Sequence, residues 1–186
     1  MSFNRLIKEY RNIIESKLKA IYLNGPENMV ETSNFVMSAK GKRIRPILTM
    51  LSCEALSDDY TNSIDVAIAI ELLHNFTLVH DDIMDKDIIR HGIETVHEKW
   101  DVNTAILSGD AMLAISLKLL MKNKSMNKLK LIEKFVNGLL SVCEGQALDI
   151  EFEEKAVVSL DEYKEMIFLK TAYMIGLSAQ IGGIIS

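Results

Sequence analysis

The 186-residue sequence is 48% hydrophobic with only two prolines and nine glycines, which excludes a disordered chain and allows one domain with a real core. Its formal net charge of −5 excludes a general attraction to nucleic acid, so any anionic ligand must be held by a local cluster of Lys and Arg. Ten methionines and many Leu, Ile and Ala residues suit helix interiors better than strands.

Apolar residues recur at helical spacing almost everywhere, with no convincing run of strict alternation. The opening "MSFNRLIKEYRN" lacks the apolar core of a secretory signal, which sets the expectation of a cytoplasmic protein. An amphipathic first helix is separated from a short second one by "NGPEN" (residues 24–28). "AKGKRIRP" (residues 39–46) ends the second helix at Gly41 and starts the third at Pro46. The polar "SDDYTNS" (residues 57–63) offers caps to the next helix, one long and mostly buried element over 63–87. Residues 90–103 read as an ordered loop, followed by a helix through Leu120 and a break at "NKSMN" (residues 123–127). A further helix runs to about Glu154, and Ser159 caps the last one, which continues to Ser186. With no repeat or linker in view, the pattern predicts a single all-α antiparallel helical bundle of about seven helices over residues 1–186.

No uncharged run reaches the roughly 18 residues of a membrane span; the richest segment, 64–80, is interrupted by Asp65, Glu71 and His74. Cys53 and Cys143 match no metal or redox spacing and are expected as buried free thiols. The last helix, "LKTAYMIGLSAQIGGIIS", is apolar on nearly every side, so further chain or a partner is expected to cover it.

The stretch "LLHNFTLVHDDIMDKDIIRHG" (residues 72–92) places Asp81, Asp82 and Asp85 at the end of an apolar run. Residues four apart share a helix face about 6 Å apart along the axis, so Asp81 and Asp85 project together. Like charges at that spacing oppose the helix, and so does the macrodipole at its C-terminal end. Violations of this kind concentrate at functional sites. Mg2+ suits the pair, because it takes one or two carboxylates and completes its shell with water and substrate phosphates. Two other readings stay open from these residues: a solvated acidic helix end, or a di-iron carboxylate bundle built on Glu71–His74 and Glu94–His97. The di-iron geometry is opposed by the second copy, which falls beside Gly92 in the expected loop.

"GKRIRP" (residues 41–46) places Lys42, Arg43 and Arg45 at a helix start, where fixed cations and free backbone N–H groups make a phosphate site. A solvated basic turn is the plainer alternative. Together with the carboxylate pair, the cluster suggests two diphosphates in an apolar helical bundle, one held through metal and one by cations alone.

At this point the sequence resembles the trans-type polyprenyl (isoprenyl) diphosphate synthases. "GKRIRP", "HNFTLVHDDIMD", the following "RHG", "GQALD" (residues 145–149) and "KT" (residues 170–171) occur in that family's order. The likeness covers essentially all of this chain but only the N-terminal part of a full-length member, closest to short-chain geranylgeranyl diphosphate synthases. It implies an isoprenoid-synthase fold lacking its C-terminal helices, and a prenyltransferase that condenses isopentenyl diphosphate with an allylic prenyl diphosphate. The assembly it implies is a homodimer or a heteromer.

Carried over residue by residue, the resemblance gives Lys42, Arg45 and His74 to the diphosphate of isopentenyl diphosphate. Asp81 and Asp85 bind Mg2+ bridging to the allylic diphosphate, with Asp82 supporting. Arg90, Lys170 and Thr171 hold that diphosphate, and Gln146 and Asp149 support the metal site. Phe76, with Thr77 beside it, forms the floor that stops chain growth, pointing to geranylgeranyl diphosphate as product; ordinary core packing is its plainer reading. His91 stands where the family usually has a second arginine, so weaker binding of isopentenyl diphosphate is expected. Nothing after Thr171 resembles the family's second aspartate-rich motif. That leaves open a truncated, non-catalytic prenyl-diphosphate-binding or regulatory subunit that needs a full-length partner. A class I terpene cyclase shares the acidic motif but has no use for Lys42, Arg45 and His74.

Overall fold

A helix that is apolar on all sides must become the centre of its bundle, and the segment Ile64–Met84 buries an unbroken run from Val66 to Leu73. The computed structural model of the chain describes residues 3–39 and 41–186. Met1 and Ser2, at the opening of the chain, and Lys40, within the basic stretch, lie outside the described residues.

In chain order the helices are α1 (Phe3–Lys19), α2 (Glu27–Ser38), α3 (Ile44–Ser57) and, after a 3-10 turn at Thr61–Ser63, α4 (Ile64–Met84). A small hairpin of β1 (Ile89–Arg90) and β2 (Ile93–Glu94) leads into the single-turn α5 (Val96–Lys99) and then α6 (Val102–Lys122). α7 (Lys128–Glu153) and α8 (Leu160–Ile167) follow; a π-helical turn at Phe168–Ala172 joins α8 to α9 (Tyr173–Ile185). α6 lies along α4 as its main neighbour, α9 packs between α3 and α7, and α1 crosses α2, α3 and α4. α1 is amphipathic in the simplest way: Tyr10, Ile14 and Leu18, four apart, are its fully buried face.

The all-α expectation holds, with local differences that have physical causes. The stretch expected as a loop over 90–103 contains the hairpin, because His91 and Gly92 both take positive φ (52° and 82°) between paired Arg90 and Ile93. That is the type I′ geometry that matches strand twist. α3 starts at Ile44 rather than Pro46; Pro46 still falls in the first turn, where its missing N–H has no helical partner to lose. Ser159 caps α8 as expected, with a full capping box to Glu162. The last helix is not left bare: Met174, Leu177, Ile181 and Ile185 are buried on a face that packs against α3 and α7. Gly182 lets the two backbones meet, since a Cβ there would run into the Thr49 carbonyl. Cys53 is buried but Cys143 is exposed, so only one of the two thiols belongs to the core.

By length and composition alone, two helices of the described residues are apolar enough to cross a membrane: α6 and the run Leu160–Ile185. Both carry charges, Asp110 and Lys118 in the first, Lys164 and Lys170 in the second, and both turn a face into the bundle.

The polar centre of the N-terminal half is Arg43. It sits at the N-cap of α3 with φ of 51° and is buried. Its Nε donates to Glu15 of α1 (2.8 Å) and one Nη to Glu71 of α4 (2.7 Å). The other Nη donates to the carbonyls of Met37 (3.0 Å) and Ala39 (2.8 Å) at the end of α2. One guanidinium therefore ties four helices, and Glu71 is spent on it. Removing one partner of a buried ion pair typically costs about 3–5 kcal/mol, because the other charge is left uncompensated. Arg43→Met is accordingly expected to lower unfolding stability by about that amount in urea titrations followed by circular dichroism. An unchanged midpoint would show that this network carries no net stability.

Candidate active site

The acidic motif closes α4. The Asp85 N–H donates to the Asp81 carbonyl (2.8 Å), Lys86 turns left-handed, and the Asp87 N–H reaches back to the Asp82 carbonyl (2.9 Å). This last bond is the long closure of a Schellman cap, and it ends the helix as soon as the carboxylates have been presented.

The three aspartates then diverge. Asp82 is buried and turns toward the hairpin, where it accepts from Arg90 Nε. Arg90 also donates to Asp87 (3.1 Å) and lies 3.5 Å from Asp81. Asp81 faces the other way and meets Lys170 Nζ at 3.3 Å; Lys170 is shared with Asp149 at 2.5 Å. Asp85 is exposed at the rim and accepts from Gln146 Nε2 at 3.3 Å. Burial pushes the Asp81 and Asp82 carboxyls above their ordinary range, while Lys170 and Arg90 respectively pull them back. Burial also lowers Lys170, but its hydrogen bond to Asp149 and the Asp81 charge outweigh that and hold the ammonium above its usual value.

Two features of the C-terminal half deliver Lys170. The π turn widens the helix where Lys170 and Thr171 sit, and such single-turn insertions recur at functional sites. Gly145 on α7 lets that turn approach, because a Cβ there would collide with the Lys170 backbone.

Two cavities meet at this end of α4. The first, about 410 Å³, is lined by the polar Asp81, Gln146, Lys170 and Thr171 and by the apolar Phe76, Val142 and Met174. The second, about 560 Å³, is lined by Lys42, Arg43, Arg45, His74 and His91. Arg45, His74 and Leu78 belong to both and form their common wall. Arg45 Nη1 lies 3.1 Å from His74 Nε2. Burial first, then the Arg45 charge, pushes the His74 imidazole down to about 3, so it is neutral and accepts from Arg45. The Arg45 Nε is buried without a partner, a donor with nothing to donate to. Burial lowers the Arg45 guanidinium as well.

The structure thus gathers Lys42, Arg45, His74 and His91 around one cavity and Phe76, Thr77, Asp81, Gln146, Lys170 and Thr171 around the other. Asp85 stands at the rim, and Asp82 and Arg90 line a small hollow behind the hairpin that adjoins the cationic cavity through Asn75, Leu78 and His91. Arg90 is occupied by carboxylates and does not line the first, apolar cavity. Sequence reasoning missed His80, which lines that cavity, packs its ring at a tilt against Phe76 at 4.6 Å between centroids and rests over Gly109. It also missed Cys143, Ala147 and Ile150. Their signal was the helical spacing from Phe76 to His80 and from Cys143 through Ala147 to Ile150. Glu71, held by Arg43, is withdrawn from any carboxylate–histidine metal set, and among the described residues no group of three such ligands forms.

A two-carboxylate site fits a hydrated divalent ion that takes one or two protein ligands. The Gln146 Oε1, buried and without a partner beside Asp85, is an acceptor suited to a water on such an ion.

The chain is 40% identical over 185 residues to a geranylgeranyl pyrophosphate synthase of Geoglobus acetivorans, covering 98% of this chain and 58% of that protein. It is 39% identical over 162 residues to a geranylgeranyl diphosphate synthase of Methanosarcina mazei, covering 86% of this chain and 50% of that one. The fold superposes on the crystal structure of a geranylgeranyl pyrophosphate synthetase from Pyrococcus horikoshii with a TM-score of 0.93 at 40% identity, over 98% of this chain and 58% of that one. The chain therefore spans between half and three-fifths of the length of these relatives. The polyprenyl synthetase family matches residues 26–186, and the chain belongs to that family.

Proposed function

We propose that the chain is the N-terminal, substrate-binding portion of a prenyltransferase, a single partial isoprenoid synthase domain that joins isopentenyl diphosphate to an allylic diphosphate. The observation that carries this reading is the pair of cavities with one common wall: an apolar-lined one with Asp81 and Lys170 among its polar groups and a cationic one, separated by Arg45 and His74. Condensation needs two diphosphates side by side with their hydrocarbon ends facing, and this wall provides the division.

Asp81 and Asp85 would hold Mg2+, with Gln146 supporting. When bound, the ion supplies charge neutralisation to the departing diphosphate. Lys170 and Thr171 hold the allylic diphosphate from the π turn, and Arg90 anchors the hairpin to Asp82. Lys42 and Arg45 bind the second diphosphate. His74 acts as a positioning residue, since its neutral ring fixes Arg45, and His91 borders the same cavity in place of a guanidinium fork.

The allylic C–O bond breaks with its electron pair leaving on pyrophosphate. The isopentenyl double bond forms the new C–C bond, and a proton lost to the released pyrophosphate restores the alkene. Preorganised cations favour the charge that builds on the leaving group. The apolar wall of Phe76, Val142 and Met174 excludes the water that would quench the cation. Exposed Ile106 and Leu107 on α6, and Val136 and Leu140 on α7, support a homodimer or heteromer as the working form.

The direct test is binding of an allylic diphosphate or its bisphosphonate mimic by calorimetry with and without magnesium. Asp81→Ala and Asp85→Ala are each expected to abolish the magnesium-dependent part; unchanged affinity in both would sink the metal assignment. Lys42→Ala removes a charge-assisted hydrogen bond, so affinity for isopentenyl diphosphate should fall roughly tenfold to a hundredfold while the allylic ligand is spared. Equal losses on both ligands would mean that the cationic cavity has been misassigned.

Phe76 is almost fully buried, lines the first cavity about 7.5 Å along the helix from Asp81, and supports a floor that stops growth at geranylgeranyl diphosphate. In an assembly that shows turnover, Phe76→Ala is expected to lengthen the products, read by chromatography after dephosphorylation. The same product length from an active variant would remove Phe76 as the ruler.

A further inference from the structure

The turn between α6 and α7 has no part in the chemistry above, yet it is the most cationic segment of an acidic chain. Between residues 118 and 134 stand Lys118, Lys122, Lys124, Lys128, Lys130 and Lys134 against the single acid Glu133, while the whole chain carries −5. Among the described residues none of these lysines has a carboxylate partner within salt-bridge distance. Among them project exposed large apolar side chains: Met126 is fully exposed, Leu129 is 83% exposed and Met121 is 61% exposed.

The turn is held from behind. Asn123 Nδ2 donates to the Asn62 carbonyl (3.3 Å), Asn127 Nδ2 to the Ile184 carbonyl (3.1 Å), and Lys128 Nζ to the Met121 carbonyl (3.3 Å). The same end carries Asp58, Asp59 and Asp65 around the 3-10 turn, so the cationic surface is confined to the α6–α7 side.

We propose that this turn docks on the surface of an anionic lipid bilayer, with Met121, Met126 and Leu129 entering the interface and the lysines meeting the headgroups. Clustered lysines beside exposed aliphatic side chains are the composition of interfacial binding. Nucleic acid is the weaker match, because residues 118–134 contain no arginine and no aromatic ring to stack on a base. The docking is peripheral and independent of prenyl transfer.

The test is co-sedimentation of the full chain with vesicles of phosphatidylcholine alone or with 30% phosphatidylglycerol, in low and high salt. Native protein is expected to bind the anionic vesicles, at least tenfold more tightly than neutral ones, and to be released by salt. At about one lysine's headgroup attraction each, Lys122→Gln, Lys124→Gln and Lys130→Gln together should weaken binding on the order of a hundredfold. Met126→Asp with Leu129→Asp should weaken it tenfold or more. Lys8→Gln, Lys17→Gln and Lys19→Gln together, exposed on α1, alter net charge equally and should leave it intact. All changes lie on the surface, and circular dichroism verifies the fold. Equal binding to neutral vesicles, equal losses from the α1 set, or full binding by the Met126/Leu129 variant would overturn the proposal. Tighter binding to a single-stranded RNA, unaffected by the Met126/Leu129 changes, would reassign the surface to nucleic acid.

Discussion

The rest of the structure hangs on how a single buried guanidinium is satisfied. Arg43 bonds to two carboxylates and two helix-end carbonyls, and in doing so joins α1, α2 and α4 to the start of α3. A cation so deep in a low-dielectric interior is tolerated only when its donors are met by charged or polar acceptors. Its inward turn, set by a left-handed residue at the helix start, leaves Lys42 before it and Arg45 after it at the cationic cavity. Scaffold and ligand groups thus alternate along one short basic stretch.

A second constraint concerns the charge at the end of α4. Asp81 would be unfavourable at a helix C-terminus and half buried, and Lys170 and Arg90 sit against it. Lys170 is in turn shared with Asp149, so the acidic site is neutralised by its own cations. Lys170 and Arg90 thus stabilise the half-buried carboxylate of Asp81 from two different elements, the π turn and the hairpin.

Much of this was legible in the sequence for definite reasons. The long apolar run of α4 announced a central helix, and aspartates four apart announced a common face. Lys42, Arg45 and His74 did converge, because Arg45 in the first turn of α3 meets α4. What stayed hidden depended on tertiary contact or on backbone outside the helical period. Arg43 reads like its neighbours in sequence, and only Glu15 and Glu71 reveal it as a core residue. The hairpin needed two consecutive positive-φ residues, one of them His91, which propensity does not favour. The divergence of Asp82 from Asp81 follows from adjacent residues standing about 100° apart on a helix, but its partner Arg90 was assignable only once the hairpin folded back.

The π turn between α8 and α9 bears on how this chain can change length. Met166 and Met174, the buried residues on either side, are eight apart. In an unbroken α-helix that offset runs about 80° beyond two full turns, and the wider turn takes up the excess. Deleting one residue between Phe168 and Ala172 would give an unbroken α-helix with no loss of helicity. Met166 and Met174 would then stand seven apart, about 20° short of two full turns, so the seam of Leu177 and Ile181 would keep its register, while the widened turn that carries Lys170 and Thr171 past Gly145 would be lost. A one-residue deletion at this point would therefore be nearly silent in helix content and in core register, and its effect would fall on the placement of Lys170 and Thr171 alone.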